Sequence, residues 1–202
     1  MKLYDTTMAP NPRRVRVFLA EKGVDVPLEP VDLGEAENRQ PAFLAKNPMG
    51  GVPVLELDDG TCIAESVAIC RYFEELRPKP PLMGVDPLDK ARVEMWNRRM
   101  EFGALGNVTG CFRNTNDFFK GRVTQVPEYG EVCREGAVKQ LVWLDEVLAD
   151  REFVAGERYT IADITLLIAI DFARVIRLRI DPEQKNLARW HEAASNRPSA
   201  KA

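Results

Sequence analysis

The stretch that decides the fold lies at residues 46–66 and has the sequence KNPMGGVPVLELDDGTCIAES. Its two apolar runs are separated by Asp59-Gly60, a pair that predicts two antiparallel strands joined by a tight turn. Pro53 stands directly before the first run, although a proline has no N–H to donate to a strand ladder. Either Pro53 marks a sheet edge, or the sheet stops there so that another molecule can pair with the chain.

The first 77 residues alternate between strand and helix signals. The predicted elements, in chain order, are a strand (2–5), a helix (12–22), a strand (27–33), a short helix (39–45), the hairpin and a last helix (66–76). In the first helix we predict Asn11 as the N-cap, Pro12 as the first helical residue and Gly23 as the stop. Strands linked through a helix are parallel and a hairpin is antiparallel, so this order predicts a mixed, thioredoxin-like sheet.

The composition of the chain changes after this region. Four prolines fall within residues 77–88, which predicts a stiff linker, and four long helical patterns follow it. We therefore predict an α/β domain over 1–77, a proline-rich linker over 78–88 and an all-α domain over 89–202.

Two features of the helical half have structural interpretations. Thr160 and Asp163 form an S/T-x-x-D capping box ahead of an apolar run, which predicts the start of a buried helix. Gly103, Gly106 and Gly110 recur in one helix, where each glycine is unfavourable relative to alanine. They either widen a substrate cleft or allow close helix packing, and we favour packing.

Charge and hydropathy exclude several classes of function. The chain has 202 residues, of which 45% are hydrophobic and 29% charged, with a net charge of −3. No apolar run is long enough to span a membrane, and the N-terminus lacks the apolar core of a signal peptide, so we expect a cytoplasmic protein. The one basic cluster, RRVR at 13–16, is interpreted as a solvated helix face. We therefore expect no nucleic-acid partner and no membrane partner.

The cysteines and the histidine predict no metal site. The chain has four cysteines and one histidine, with no C-x-x-C pair and no zinc-finger spacing. These residues are Cys62, Cys70, Cys111, Cys133 and His191. We interpret the cysteines as reduced, at least partly buried side chains. A protein-disulfide oxidoreductase that uses its own thiols is disfavoured.

The decisive stretch also predicts a peptide-binding site. In a thioredoxin-like sheet the proline that opens the third strand is commonly cis, which presents the N–H and C=O of Val52 to an extended peptide. Gly50 and Gly51 allow that peptide to come close to the backbone. Glu65 and Ser66 open the next helix, where free N–H groups, the helix dipole and a hydroxyl suit a carboxylate. The combination fits a short acidic peptide.

At these residues the sequence resembles the cytosolic glutathione transferase superfamily, whose members typically have NP-x-G-x-VP-x-L, then D-G, then E-S. The proline-rich linker, the helical second half and YTIADITL at 159–166 are similar as well, so the resemblance covers essentially the whole chain. It implies the glutathione transferase fold, a thioredoxin-like domain followed by an all-α domain. Glutathione is implied as a substrate, without a metal.

The resemblance also implies roles for individual residues. Val52, held by Pro53, pairs with the cysteinyl backbone of glutathione, while Glu65 and Ser66 hold its γ-glutamyl end. Asn38 stands at a position that often makes a polar contact near the glycyl carboxylate. Many relatives have a lysine, arginine or glutamine where this chain has Gly51, and this departure removes one side-chain contact.

The group that activates the thiol departs from the serine-type pattern, because the serine position falls on Ala9. Asn11 can donate a hydrogen bond to a thiolate, and a helix N-terminus lowers the pKa of a thiol. We predict Asn11 as the sulfur contact, with Thr7 as the second candidate. An asparagine here resembles the nu-type bacterial and fungal relatives, which favour disulfide chemistry with glutathione, and the resemblance as a whole is to bacterial, theta/nu-like members of the superfamily. The alternative is that Asn11 only caps its helix.

The expected function is that of an enzyme that holds glutathione as a thiolate and uses it on a hydrophobic electrophile, a disulfide or a peroxide, with a role in detoxification. The resemblance implies a homodimer. The alternative is a non-catalytic binding or interaction module of the same fold. Ala9 and Gly51 favour that alternative, whereas the intact Val52-Pro53 and Glu65-Ser66 pairs oppose it.

Overall fold

The computed structural model describes residues 1–202, which form two compact units. Unit 1 comprises Met1–Leu82 together with Pro198–Ala202, and unit 2 comprises Met83–Arg197. Unit 1 contains the sheet and unit 2 contains helices only. The predicted fold class, a thioredoxin-like domain followed by an all-α domain, is confirmed.

The sheet of unit 1 has four strands in the order β2-β1-β3-β4. The strands are β1 (Lys2–Asp5), β2 (Leu28–Pro30), β3 (Val54–Glu56) and β4 (Cys62–Ala64). β1 is parallel to β2 and antiparallel to β3, and β3 is antiparallel to β4. The predicted mixed sheet and the predicted hairpin at Asp59-Gly60 are therefore confirmed. Both could be predicted because connection lengths and turn residues are local properties of the sequence.

Three helices accompany this sheet: α1 (Pro10–Lys22), α2 (Pro41–Leu44) and α3 (Ser66–Leu76). The prediction that Asn11 caps α1 is wrong. Ala9 is the N-cap, with an extended backbone (φ −98°, ψ 144°), and it makes no side-chain capping bond. Pro10 occupies the first helical turn, because its locked φ already suits a helix. Gly23 ends the helix in the left-handed conformation (φ 62°), as predicted.

Helices α1 and α3 enclose charged as well as apolar side chains. Val15, Phe18 and Leu19 are buried along α1, as their spacing predicts. Lys22, one turn beyond Phe18, is buried and forms an ion pair with Glu74 of α3. Its Nζ also donates to the carbonyl oxygens of two residues after α3, Arg77 (2.8 Å) and Pro80 (2.5 Å).

Unit 2 is built from five α-helices and one π-helical segment. The helices are α4 (Pro87–Arg98), α5 (Gly106–Thr115), α6 (Pro127–Val147), α7 (Ile161–Phe172) and α8 (Lys185–Ser195), and the π-helical segment is Arg99–Leu105. Helix α7 forms the centre of the core, since every residue from 161 to 169 is buried. No helix in either unit has the length and apolar character needed to cross a bilayer.

The predicted capping box at the start of α7 is confirmed, with Thr160 as the N-cap and Asp163 at the third helical position. The Asp163 carboxylate is fully buried and accepts four hydrogen bonds. Its donors are the backbone N–H groups of Val154 (2.8 Å) and Thr160 (2.9 Å), the Thr160 hydroxyl (3.1 Å) and the Trp190 indole N–H (2.9 Å). Burial nevertheless raises the pKa of Asp163 to about 6, because desolvation outweighs these donors.

The glycines of α5 and its preceding π-helical segment support the packing interpretation. A Cβ on Gly103 would lie 2.9 Å from the Gln140 side chain, and one on Gly110 would lie 2.8 Å from the Cys133 Sγ, both on α6. A Cβ on Gly106 would meet only a backbone oxygen of its own helical region, at 3.2 Å. Gly103 and Gly110 therefore allow close contact with α6.

Candidate functional site

Three loops of unit 1 meet at one edge of the sheet. The end of β1 pairs with the start of β3, because Tyr4 lies opposite Val54. The end of β4 lies at the same edge, because Ala64 also lies opposite Val54. The loop 6–9 that enters α1, the loop 47–53 that enters β3 and the residues 65–66 that enter α3 therefore converge.

Val52 presents an unpaired stretch of backbone at this edge. The Val52–Pro53 peptide bond is cis, as expected for this position. Neither the N–H nor the C=O of Val52 has a hydrogen-bond partner within the protein, and the residue is only half-buried. A backbone donor and acceptor presented side by side can pair with an added extended peptide.

Two asparagine side chains support the loop before Val52. The Asn47 amide donates to the Gly51 carbonyl (2.8 Å), and the Asn38 amide donates to the Gly50 carbonyl (2.7 Å). Sequence reasoning assigned Asn38 to a ligand contact, whereas its amide N–H here braces the loop. Sequence reasoning did not identify Asn47 as a site residue. Its place directly before Pro48, at the start of the NP-x-G-x-VP motif, could have pointed to it. Both bonds hold backbone carbonyls in place ahead of the unpaired Val52 backbone.

Glu65 and Ser66 form the entry to α3. Glu65 is exposed and has a positive φ (67°), which is uncommon for a residue other than glycine and typical of functional sites. The first intrahelical bond here runs from the Ile69 N–H to the Glu65 carbonyl. The N–H groups of residues 66–68 are therefore left for other acceptors, as at any helix start. A helix start with free N–H groups can accommodate an anion.

The Ser66 hydroxyl has a partner that sequence reasoning missed. Arg14 of α1 donates from Nη1 to the Ser66 Oγ over 2.8 Å, and only 1% of Arg14 is exposed. The interpretation of RRVR as a solvated face is therefore wrong for Arg14. Its burial depends on α3 lying across α1, and no local pattern reports that contact.

The first turn of α1 offers few backbone donors. Pro10 and Pro12 have no N–H, so Asn11 supplies the only backbone N–H among residues 10–12. The Asn11 side chain is exposed and makes no hydrogen bond within the protein, and neither does the hydroxyl of the exposed Thr7. Because Asn11 does not cap the helix, its amide is not engaged by the fold.

The cysteines do not contribute a nucleophile to this edge. Cys70, Cys111 and Cys133 are buried, Cys62 is half-buried, and all four are free thiols. Burial raises the pKa of the Cys70 thiol to about 12, which keeps it protonated at neutral pH. What this edge offers is therefore free backbone donors and acceptors, at Val52 and at the start of α3.

Two family models match the chain. The model described as "Glutathione S-transferase, N-terminal domain" matches residues 1–75, and the model described as "Glutathione S-transferase, C-terminal domain" matches residues 106–198.

Individual proteins are similar over the full length. The Saccharomyces cerevisiae protein "Glutathione S-transferase 2" is 39% identical over 205 residues, covering 100% of this chain and 88% of the relative. The crystal structure of Gtt2 from Saccharomyces cerevisiae has a TM-score of 0.95 at 39% identity, covering 100% of this chain and 99% of that one. A class Gtt2 glutathione S-transferase of Vibrio parahaemolyticus has a TM-score of 0.88 at 37% identity, covering 100% and 96%.

Proposed function

Because this chain belongs to the glutathione S-transferase family, we propose that it binds glutathione at the loop edge of the unit 1 sheet and holds the thiol as a thiolate. The thiolate then attacks a hydrophobic electrophile, or it reduces a disulfide or a peroxide. The observation that carries this proposal is the unpaired Val52 backbone beside the start of α3.

In the proposed complex, each end of the tripeptide has a different kind of partner. The cysteinyl residue pairs with the N–H and C=O of Val52, in the way that an added strand pairs with a sheet edge. The γ-glutamyl end lies at Glu65 and Ser66, where the carboxylate meets helix N–H groups and the exposed Glu65 can accept from the ammonium. Gly51 contributes no side chain, so the glycyl end lies close to backbone.

Asn11 is the proposed sulfur contact, with Thr7 as the second candidate. Support for Asn11 comes from its free side-chain amide and from its backbone N–H, both in the first turn of α1. A thiolate that accepts such hydrogen bonds is stabilised relative to the thiol, so its pKa falls. The protein supplies donors that are already in place before the sulfur becomes charged.

A pH titration of thiolate ultraviolet absorbance tests this assignment. A free thiol of this kind titrates near pH 8.5, and we expect glutathione bound to the wild-type protein to titrate at least about one unit lower. We expect Asn11→Ala to reverse most of that shift, whereas Thr7→Val serves as the matched comparison for the second candidate. Since Asn11 makes no capping bond, Asn11→Ala is expected to leave the thermal unfolding midpoint nearly unchanged.

The outcomes of this titration separate the candidate functions. Binding without a pKa shift in the wild-type protein would support a glutathione-binding module over an enzyme. A shift that Thr7→Val reverses and Asn11→Ala does not would transfer the sulfur contact to Thr7. Product analysis with an aromatic electrophile and with a mixed glutathione disulfide then distinguishes conjugation from reduction. A detoxification role in the cytoplasm is part of the same proposal.

We also propose that the protein is a homodimer. Support comes from the family and from the large apolar side chains that unit 2 leaves exposed, among them Phe102, of which 71% is exposed. Light scattering should give twice the 22.8 kDa mass of one chain, and Phe102→Ser should shift the mass toward one chain at micromolar concentration. A monomeric wild-type protein at that concentration would contradict the proposal.

A further inference from the structure

Arg14 is a buried cation directly behind the start of α3. It lies on α1 and its Nη1 donates to the Ser66 Oγ over 2.8 Å. Arg14 is 1% exposed and Ser66 is 5% exposed, so bulk water does not compete strongly for this bond. Burying a guanidinium is unfavourable unless charged or polar groups compensate for the lost hydration, and the Ser66 hydroxyl is one of the groups that do so.

The bond dictates how the Ser66 hydroxyl can act. A serine hydroxyl has one O–H donor and two acceptor lone pairs. Arg14 has donors only, so in this pair the Ser66 Oγ must be the acceptor. The single O–H of Ser66 is then left to donate elsewhere, and an acceptor bound at the start of α3 is within its reach. Successive hydrogen bonds of this kind also polarise one another.

Two positive contributions meet at this end of α3, while the exposed Glu65 carboxylate at its N-cap is the one negative group beside them and is left for the ammonium of the ligand. The N–H groups of residues 66–68 carry the partial positive charge of the helix start. The Arg14 guanidinium adds a full positive charge on the protein side of the same hydroxyl. A carboxylate at this point therefore meets a donor, a helix terminus and a buried cation.

We propose that Arg14 is a positioning residue for glutathione, acting through Ser66 to recognise the α-carboxylate of the γ-glutamyl group; this rests on the function proposed above. Arg14 holds the Ser66 hydroxyl in its donating orientation and does not itself touch the substrate. The role makes the site selective for peptides whose first residue carries a free α-carboxylate.

A double-mutant cycle measured as the Kd of glutathione tests the proposal. We expect Arg14→Met and Ser66→Ala each to weaken binding about tenfold, and the double variant to bind about as weakly as either one alone, because contacting groups are coupled. Arg16→Met is the matched control: it removes another arginine of α1, paired with Asp5 over 2.6 Å, without touching Ser66. We expect it to leave the Kd within about twofold of the wild-type value.

A modified probe tests the same role from the ligand side. Glutathione amidated at its γ-glutamyl α-carboxyl should bind the wild-type protein about tenfold more weakly than glutathione, and Arg14→Met should not weaken it further. If Arg14→Met does not fold, Arg14→Lys replaces it. A lysine keeps the charge and a donor, so we expect it to retain coupling to Ser66 and preference for the free carboxylate.

The outcomes separate this inference from the proposed function. Additive losses, near a hundredfold in the double variant, would overturn the role of Arg14 while glutathione binding stands. If Arg16→Met weakened glutathione binding as much as Arg14→Met does, the role of Arg14 would also be overturned. The weaker binding would then result from removing any arginine of α1. No binding of glutathione by the wild-type protein would overturn the proposed function, and the role of Arg14 with it.

Discussion

Replacing Asp163 with alanine is expected to lower the free energy of unfolding by about 3–5 kcal/mol, which is a large part of the roughly 5–15 kcal/mol of a typical domain. The substitution removes the acceptor of four buried donors: two backbone N–H groups, one hydroxyl and the indole N–H of Trp190. None of these donors is exposed enough to find water instead. Urea unfolding followed by tryptophan fluorescence measures the change, because Trp190 is one of the groups left unpaired.

Asp86→Ala is the matched control for this prediction. Asp86 caps α4 through the N–H of Asp89 (2.9 Å), but it is exposed, so water can replace the lost bond. We expect a loss of about 1 kcal/mol there. Asp163→Asn, which keeps the volume and one acceptor, should fall between the two. Equal losses in Asp163→Ala and Asp86→Ala would show that Asp163 acts only as a helix cap.

Replacing Lys22 with methionine is expected to destabilise the protein by about 3 kcal/mol. Methionine matches the length of the buried stem but removes the ion pair with Glu74 and two hydrogen bonds to the carbonyls of Arg77 and Pro80. Those carbonyls belong to the segment directly after α3, so we expect this segment to become more mobile when the two hydrogen bonds are lost. Hydrogen exchange at the Arg77 amide, which donates to the Phe73 carbonyl over 2.8 Å, should therefore accelerate together with the loss in urea unfolding.

The partly solvated pair Lys46–Glu56 provides the comparison for Lys22. Its atoms lie 2.7 Å apart, but both side chains remain partly in water. Since a solvated pair contributes little to stability, Lys46→Met should change the unfolding free energy far less than Lys22→Met does. If Lys46→Met lowered the free energy of unfolding as much as Lys22→Met does, burial would not determine how much each ion pair contributes to stability.

The turn-forming and capping residues could be predicted because their chemistry is local. Asp59-Gly60 sets a hairpin, Gly23 ends α1 and Thr160 with Asp163 starts α7, each through bonds to residues a few positions away. The cap of α1 was mispredicted because Pro10 and Pro12 both suit a first helical turn. Local preference does not choose between two starts that lie two residues apart.

In the candidate site, too, the features that depend on local sequence could be predicted and those that depend on tertiary contacts could not. The edge at Val52, the helix start at Glu65-Ser66 and the fold that carries them follow from the order of motifs along the chain, because turns, prolines and helix starts act over short distances. Only the tertiary structure decided that Arg14 is buried against Ser66, and that Asn38 braces a loop. Arg14 and Ser66 are 52 positions apart in the sequence, and Asn38 and Gly50 are 12 positions apart. The local preferences of an arginine or an asparagine are the same whether or not the fold brings such a partner into contact. Burial and hydrogen-bond partnership are properties of the packed pair of elements, so they could not be predicted from either element alone.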